Sequence, residues 1–204
     1  MNIDSISFGA KYLNTVTIKK YDKNTKGYVD LSANFVKLEH DNKFDIAAVD
    51  KTAEKWKDAK YIRKIATASH WFNSLPIDIY ALTTQKDKFS KLKPAKILGF
   101  AEMRKDEAFP KYDLLYHLQV KPDAINVNNS DAKYKYVGTS ILNSLKKIYK
   151  NIFLYSEGNP NVKKFYQNNG FIEDSMLRRR YLWTSNIFRK IKIYCYNKIH
   201  RFGM

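Results

Sequence analysis

The order of segments between Leu114 and Phe171 restricts the fold more than any other feature. A strand-like run is followed by a glycine-bearing turn, an amphipathic helix, a short apolar run and a helix with legible ends. Leu114-Leu115-Tyr116-His117-Leu118-Gln119-Val120 reads as a strand. It stops before Pro122, which has no backbone N–H and biases Lys121 toward an extended conformation. After a polar stretch over 123–135, expected to be loop, Ile141, Leu142, Leu145, Ile148 and Tyr149 recur at helical spacing. Asn143, Ser144, Lys146, Lys147 and Lys150 fill the other positions, so this helix is expected to bury one apolar face. Ile152-Phe153-Leu154-Tyr155 follows as a short strand. In the next helix Asn159 can cap, Pro160 sits where its missing N–H costs nothing, and Gly170 can take positive φ at the end.

Before this region, Ile6-Ser7-Phe8, Val16-Thr17-Ile18 and Ala33 to Leu38 are strand-like pieces of an N-terminal section over about 1–45. Asn24, Gly27 and Asp41-Asn42 are turn-prone. Trp56, Ala59, Ile62, Ile65, Ala66 and Ser69 predict a helix from about Thr52 to His70, capped by Asp50 or Thr52. Ile77 to Leu82 and Ile97 to Met103 predict two strands of a hairpin, with a long loop from Thr84 to Pro94. The segment 176–204 carries eight Arg or Lys and no Asp or Glu. Its Tyr181, Leu182, Trp183, Ile187, Phe188, Ile191, Ile193 and Tyr194 are too apolar for a loose arm, and predict one or two closing strands with a short terminal helix. No repeat or low-complexity linker divides the 204 residues, so a single domain over 1–204 is expected.

Apolar residues make up 44% of the chain and aromatic ones 15%, which excludes a disordered protein. Cys195 is the lone cysteine, and no Cys or His cluster has metal-site spacing, so a reducing compartment and no metal are expected. The start lacks signal-peptide character and no apolar run reaches about 18 residues, which predicts a soluble cytoplasmic protein with no membrane partner. A net charge of +17 would attract nucleic acid, anionic lipid or an acidic partner. Much of it is lysine scattered singly among Asn and Ile, a mixture that an AT-rich genome also produces, so RNA or another anionic partner stays open. Arg178-Arg179-Arg180 followed by Tyr181 and Trp183 can contact phosphates and stack bases. The same residues would also protect an exposed edge strand, and without any nucleic-acid-binding signature that structural account is favoured.

The junction Lys135-Tyr136-Val137-Gly138-Thr139-Ser140 carries the first chemical signal. A helix start presents free N–H groups and the positive end of the helix dipole, which suits a diphosphate. Gly138 would permit close backbone approach, Thr139 and Ser140 add hydroxyl donors, and Lys135 adds positive charge.

Leu118-Gln119-Val120-Lys121-Pro122 followed by Lys135-x-x-Gly138-x-Ser140 resembles the cofactor motif of the GNAT superfamily of acyl-coenzyme A-dependent N-acyltransferases, with Lys for Gln or Arg and Ser for Gly or Ala. Asn159-Pro160-Asn161-Val162-Lys163-Lys164-Phe165-Tyr166-Gln167-Asn168-Asn169-Gly170-Phe171 resembles its second motif and departs only at Val162. The resemblance implies an α/β fold with a mixed, mostly antiparallel central sheet, splayed central parallel strands and flanking helices. It implies acetyl-CoA as cosubstrate and direct acetyl transfer to an amine. The pantetheine arm would lie along Leu118, Gln119 and Val120, with Asn159 also in contact. The pyrophosphate would meet Lys135, Val137, Gly138, Thr139 and Ser140. The Val120 N–H would serve the oxyanion and Tyr166 would be the general acid. Glu102 and His117 are the candidate bases, each weighed against an ordinary strand residue. A homodimer is compatible with the resemblance. A noncatalytic nucleic-acid-binding protein on the same scaffold is the alternative.

Overall fold

The computed structural model describes residues 9–39, 42–56, 77–106, 108–125, 132–156, 158–174, 177 and 179–201. The expected strand Ile6 to Phe8 and the positions of Met176 and Arg178 lie outside them. The described elements are β1 (Lys11–Asp22), β2 (Gly27–Leu38), α1 (Lys43–Lys55), β3 (Ile77–Thr83), β4 (Ile97–Lys105), β5 (Asp113–Val120), β6 (Tyr134–Lys135), α2 (Val137–Ile148), β7 (Asn151–Tyr155), α3 (Pro160–Asn168), β8 (Ile172–Glu173), β9 (Arg180–Thr184) and α4 (Ile187–Arg201). The chain divides into two units, one from Met1–Glu102 with His117–Ile141 and one from Met103–Tyr116 with Leu142–Met204.

In the first unit the strand order is β6-β1-β2-β3-β4, with the end of β5 beside β4. β1 and β2 pair antiparallel from Lys11↔Lys37 to Asp22↔Gly27, far beyond the two short apolar pieces that the sequence marks. Hydrophobic alternation shows only where a face is covered, as at Ile18, Ala33, Phe35 and Val36, whereas backbone pairing continues wherever a partner strand runs alongside. Tyr134 and Lys135, expected in a loop, form β6 against Lys20 and Lys19. The outer edge of β1 offers unpaired backbone groups there. Tyr21 N donates to Lys133 O at 2.9 Å, and the Tyr28 hydroxyl donates to Ala132 O at 2.6 Å. The expected hairpin loop is organised around Gln85, whose side-chain N–H groups donate to the carbonyls of Asp87 and Lys88, both at 2.8 Å.

α1 runs over Lys43–Lys55, ahead of most of the helix expected from Thr52 to His70. Asn42 caps it by accepting from Phe44 N and Asp45 N, and the backbone is already extended at Trp56, with φ −98° and ψ 117°. Ala59, Ile62, Ile65, Ala66 and Ser69 lie outside the described residues. Ala48, Val49, Ala53 and Trp56 pack with Val36, Leu38, Ile79, Ile97 and Phe100 to form the core of this unit. Asp45, only 1% exposed, faces the same interior and accepts from Glu39 N at 2.9 Å.

Burial pushes the Asp45 carboxyl up from 3.8 to about 6. The backbone N–H groups of Glu39 and Ala10 oppose the rise, and the Glu39 charge adds to it. The folded chain therefore holds a proton that the unfolded chain releases near pH 3.8, so stability from this group is full below that pH and is lost as pH rises through about 6. Urea midpoints measured between about pH 4 and pH 7 are expected to fall with rising pH, and Asp45→Asn is expected to flatten that slope.

The second unit is built on β5-β7-β9-β8. β5 and β7 pair parallel at Asp113↔Ile152 and Leu114↔Phe153, and β5 runs on to Val120. β9 pairs antiparallel with β7 and with β8, so the structure is a mixed, mostly antiparallel α/β fold of the class expected. Leu114, Phe153 and Leu182 form the core of this unit, with Phe109, Tyr112 and Ile193 packed against it. The edge-strand account of the arginines is corrected here, because β9 lies between two strands. Arg180 instead donates to Asp174 Oδ2 from Nε at 2.8 Å and also from Nη2, with its guanidinium 4.7 Å from the Phe109 ring centre. The closing helix α4 spans fifteen residues, longer than the short one expected.

Candidate active site

α2 begins directly after Tyr136, whose φ of 67° is left-handed. A left-handed residue followed by helical turns gathers successive amides into a concavity suited to an anion. Ser140 N donates to Tyr136 O at 2.9 Å, the first bond of the helix ladder. The amides of Val137, Gly138 and Thr139 precede that bond and have no acceptor within the helix. Ser140 is thereby set apart from its three neighbours, since its amide is committed to the helix.

Gly99 shapes the same corner. A Cβ there would lie 2.7 Å from Ile141 Cδ1, 3.1 Å from the Gln119 carbonyl oxygen and 3.4 Å from Val137 Cγ1. The absent side chain lets β4, the end of β5 and the first turn of α2 approach closely. Lys121 N donates to Leu98 O at 2.8 Å and holds the chain just past Val120 to β4. The structure thus brings Gln119 and Val137 together over Gly99, with Leu118 and Val120 on either side of Gln119. Gly99 did not stand out as a site residue in the sequence, although a glycine inside an apolar strand is the recognised mark of close backbone approach.

Lys135, in β6, places its ammonium 3.8 Å from the Tyr28 ring centre. Lys121 and Lys133 each lie 5.7 Å from the ring of Tyr134, and Lys121 also pairs with Asp123 at 3.1 Å. The approach to α2 is accordingly basic and aromatic. Of the two candidate bases, Glu102 is fully buried in β4, and by strand alternation it shares a face with Phe100, whose ring lies 5.7 Å from Trp56. His117 is half-buried on β5 and shares a face with Gln119.

In the second unit Asn159 caps α3 through Oδ1, which accepts from Asn161 N at 2.9 Å, and Pro160 opens the helix. Gly170 has φ 75°, and Phe171 N returns to Tyr166 O at 3.0 Å, closing the helix end. Tyr166 is half-buried, with ring centres of Phe165, Phe171 and Tyr181 at 5.2, 5.7 and 6.0 Å. Burial pushes the Tyr181 hydroxyl above its ordinary value, and the Glu173 charge adds to the rise. On α2 the expected polar side is corrected in part. Ser144 is buried, and Lys146 lies half-buried with its ammonium 5.3 Å from the Phe171 ring and 5.6 Å from Trp183. That burial, with the Lys190 charge, lowers Lys146 to about 8. Among the described residues no group of His, Cys, Asp and Glu could hold a metal ion.

No family model and no curated protein matches the chain. Among solved structures it is similar to a candidate acetyltransferase from Exiguobacterium sp. 255-15, with 14% identity, a TM-score of 0.49, and coverage of 78% of this chain and 97% of the other. It is also similar to a GNAT-family acetyltransferase from Listeria monocytogenes, with 11% identity, a TM-score of 0.45, and coverage of 74% and 93%. A third is a Bacillus subtilis acetyltransferase in complex with CoA, with 13% identity, a TM-score of 0.38, and coverage of 59% and 84%. With these scores, the weight of the functional reading falls on the chain's own residues.

Proposed function

We propose that the protein is an acyl-coenzyme A-dependent N-acyltransferase of the GNAT type, moving an acetyl group from acetyl-CoA to an amine. The open first turn of α2 behind left-handed Tyr136 carries this reading. The amides of Val137, Gly138 and Thr139 bind the pyrophosphate, aided by the helix dipole and by the positive charge of Lys135. Leu118, Gln119 and Val120 lie along the pantetheine arm, and the bare backbone of Gly99 keeps this corner tight. When bound, acetyl-CoA supplies an activated thioester. Tyr166 holds a proton on its hydroxyl for the departing sulfur, and Glu102 or His117 receives the proton of the amine. The acceptor amine is left to experiment.

Calorimetry should show acetyl-CoA binding, followed by coenzyme A release with at least one member of a panel of small amines, peptides and charged tRNAs. A chain that ignores acetyl-CoA and binds RNA with steep salt dependence would instead be the noncatalytic binding protein. Thr139→Asp is the sharper test of placement. A carboxylate in the first turn favours the helix by about 0.3–1 kcal/mol, so melting temperature should hold or rise. The same charge repels a diphosphate, and acetyl-CoA affinity should fall at least about tenfold. Unchanged affinity would remove the pyrophosphate from α2.

A further inference from the structure

We infer that α4 is a peripheral anchor for an anionic lipid bilayer, a role independent of the acyl-transfer reading. Helices of water-soluble domains turn their apolar stripe toward the core. α4 does the reverse over much of its described length. Ile187, Phe188, Ile191 and Tyr194 recur at helical spacing and are 62, 79, 54 and 64% exposed. On the inner side, among the described residues of the helix, Ile193 packs against the Leu114, Phe153 and Leu182 core, while Lys190 lies 5.8 Å from the Trp183 ring. The helix is capped at its start, where Asn186 Oδ1 accepts from Phe188 N at 2.9 Å and from Arg189 N at 3.2 Å, and the residue before the cap is tied to the unit by Ser185 N donating to Lys150 O at 2.9 Å. The outward apolar face is therefore a property of a capped, docked helix.

Charge selects the occupant. The sequence of α4 carries five basic residues, Arg189, Lys190, Lys192, Lys198 and Arg201, and no Asp or Glu. A second copy of the same helix would bring like charges together along the whole contact. An anionic bilayer complements them. It accepts an apolar stripe lying in its surface plane while a basic side chain beside the stripe reaches the headgroups, and by helical spacing the exposed Lys192 falls on the flank of the stripe. The described helices include none long and apolar enough to cross a membrane, so the attachment is to one surface.

Flotation of the full chain with vesicles tests this. Binding to vesicles of phosphatidylcholine with about 30% phosphatidylglycerol is expected to exceed binding to pure phosphatidylcholine at least tenfold, and to weaken with salt. Ile187→Ser, Phe188→Ser and Ile191→Ser together should lower binding by about a hundredfold with an unchanged circular dichroism spectrum, since all three side chains are exposed. Lys192→Glu should lower it severalfold while keeping the stripe. Failure to float, equal binding to both vesicle types, or full binding by the triple variant would overturn the proposal. So would a dimer, or RNA binding, that the triple variant abolishes in a chain with no vesicle affinity.

Discussion

Tyr166→Phe is expected to cut turnover by about a hundredfold or more while leaving acetyl-CoA affinity within about twofold. The substitution removes one hydroxyl and keeps the ring that packs between Phe165, Phe171 and Tyr181. An ordinary phenol titrates near 10 and a thiol near 8.5, so a tyrosine remains protonated at neutral pH and can give its proton to a leaving thiolate. Single-turnover and steady-state coenzyme A release should both slow, since the loss falls on the chemical step. A purely packing role predicts a different pattern, with modest loss of stability and turnover within a few fold. That result would withdraw the general-acid role from Tyr166 and leave cofactor binding at α2 untouched.

Asp174→Ala should destabilise the fold by about 3 kcal/mol, measured by urea unfolding. The two side chains of the pair are 9% and 13% exposed, so removal of the carboxylate strands a guanidinium in a place where water cannot replace it fully. Asp174 N also donates to Arg180 O at 2.8 Å, so the ion pair and the backbone bond tie the same two residues. Asp174→Asn, which keeps an acceptor, should cost less. The double variant Asp174→Ala with Arg180→Leu should recover part of the loss, because the unpaired charge is then gone. If the single and double variants unfold alike, burial of the charge is not what makes the pair matter.

The parts of the fold legible from the chain were those in which local chemistry acts alone. Asn159, Pro160 and Gly170 mark the ends of α3 because cap, first-turn proline and left-handed glycine each act within a few residues. The strands β3, β4, β5 and β7 are visible through short runs rich in apolar residues. Other elements depend on contacts distant in sequence. β6 exists because an edge of β1 is available for pairing, and Tyr134-Lys135 carries no pattern of its own. The helix expected from Thr52 to His70 falls mostly outside the described residues, and α1 ahead of it carries little apolar periodicity, its start being marked by the Asn42 side chain on Phe44 N and Asp45 N. The basic run at Arg178 to Arg180 looked like surface until Asp174 supplied a partner for Arg180. At the site, the helix start near Gly138 was readable and the Tyr136 conformation was not, since tyrosine gives no hint of positive φ.

If α2 binds the pyrophosphate as proposed, that tyrosine bears on the timing of its capture. A side-chain-bearing residue held left-handed stores roughly 1 kcal/mol of strain, and the strain exists whether or not an anion is present. The corner at the head of α2 is therefore ordered in advance, and the entropy of arranging it is spent during folding. On the proposed reading, a phosphate reaching this corner meets a turn already in place, so encounter frequency and local positive charge should govern the association rate.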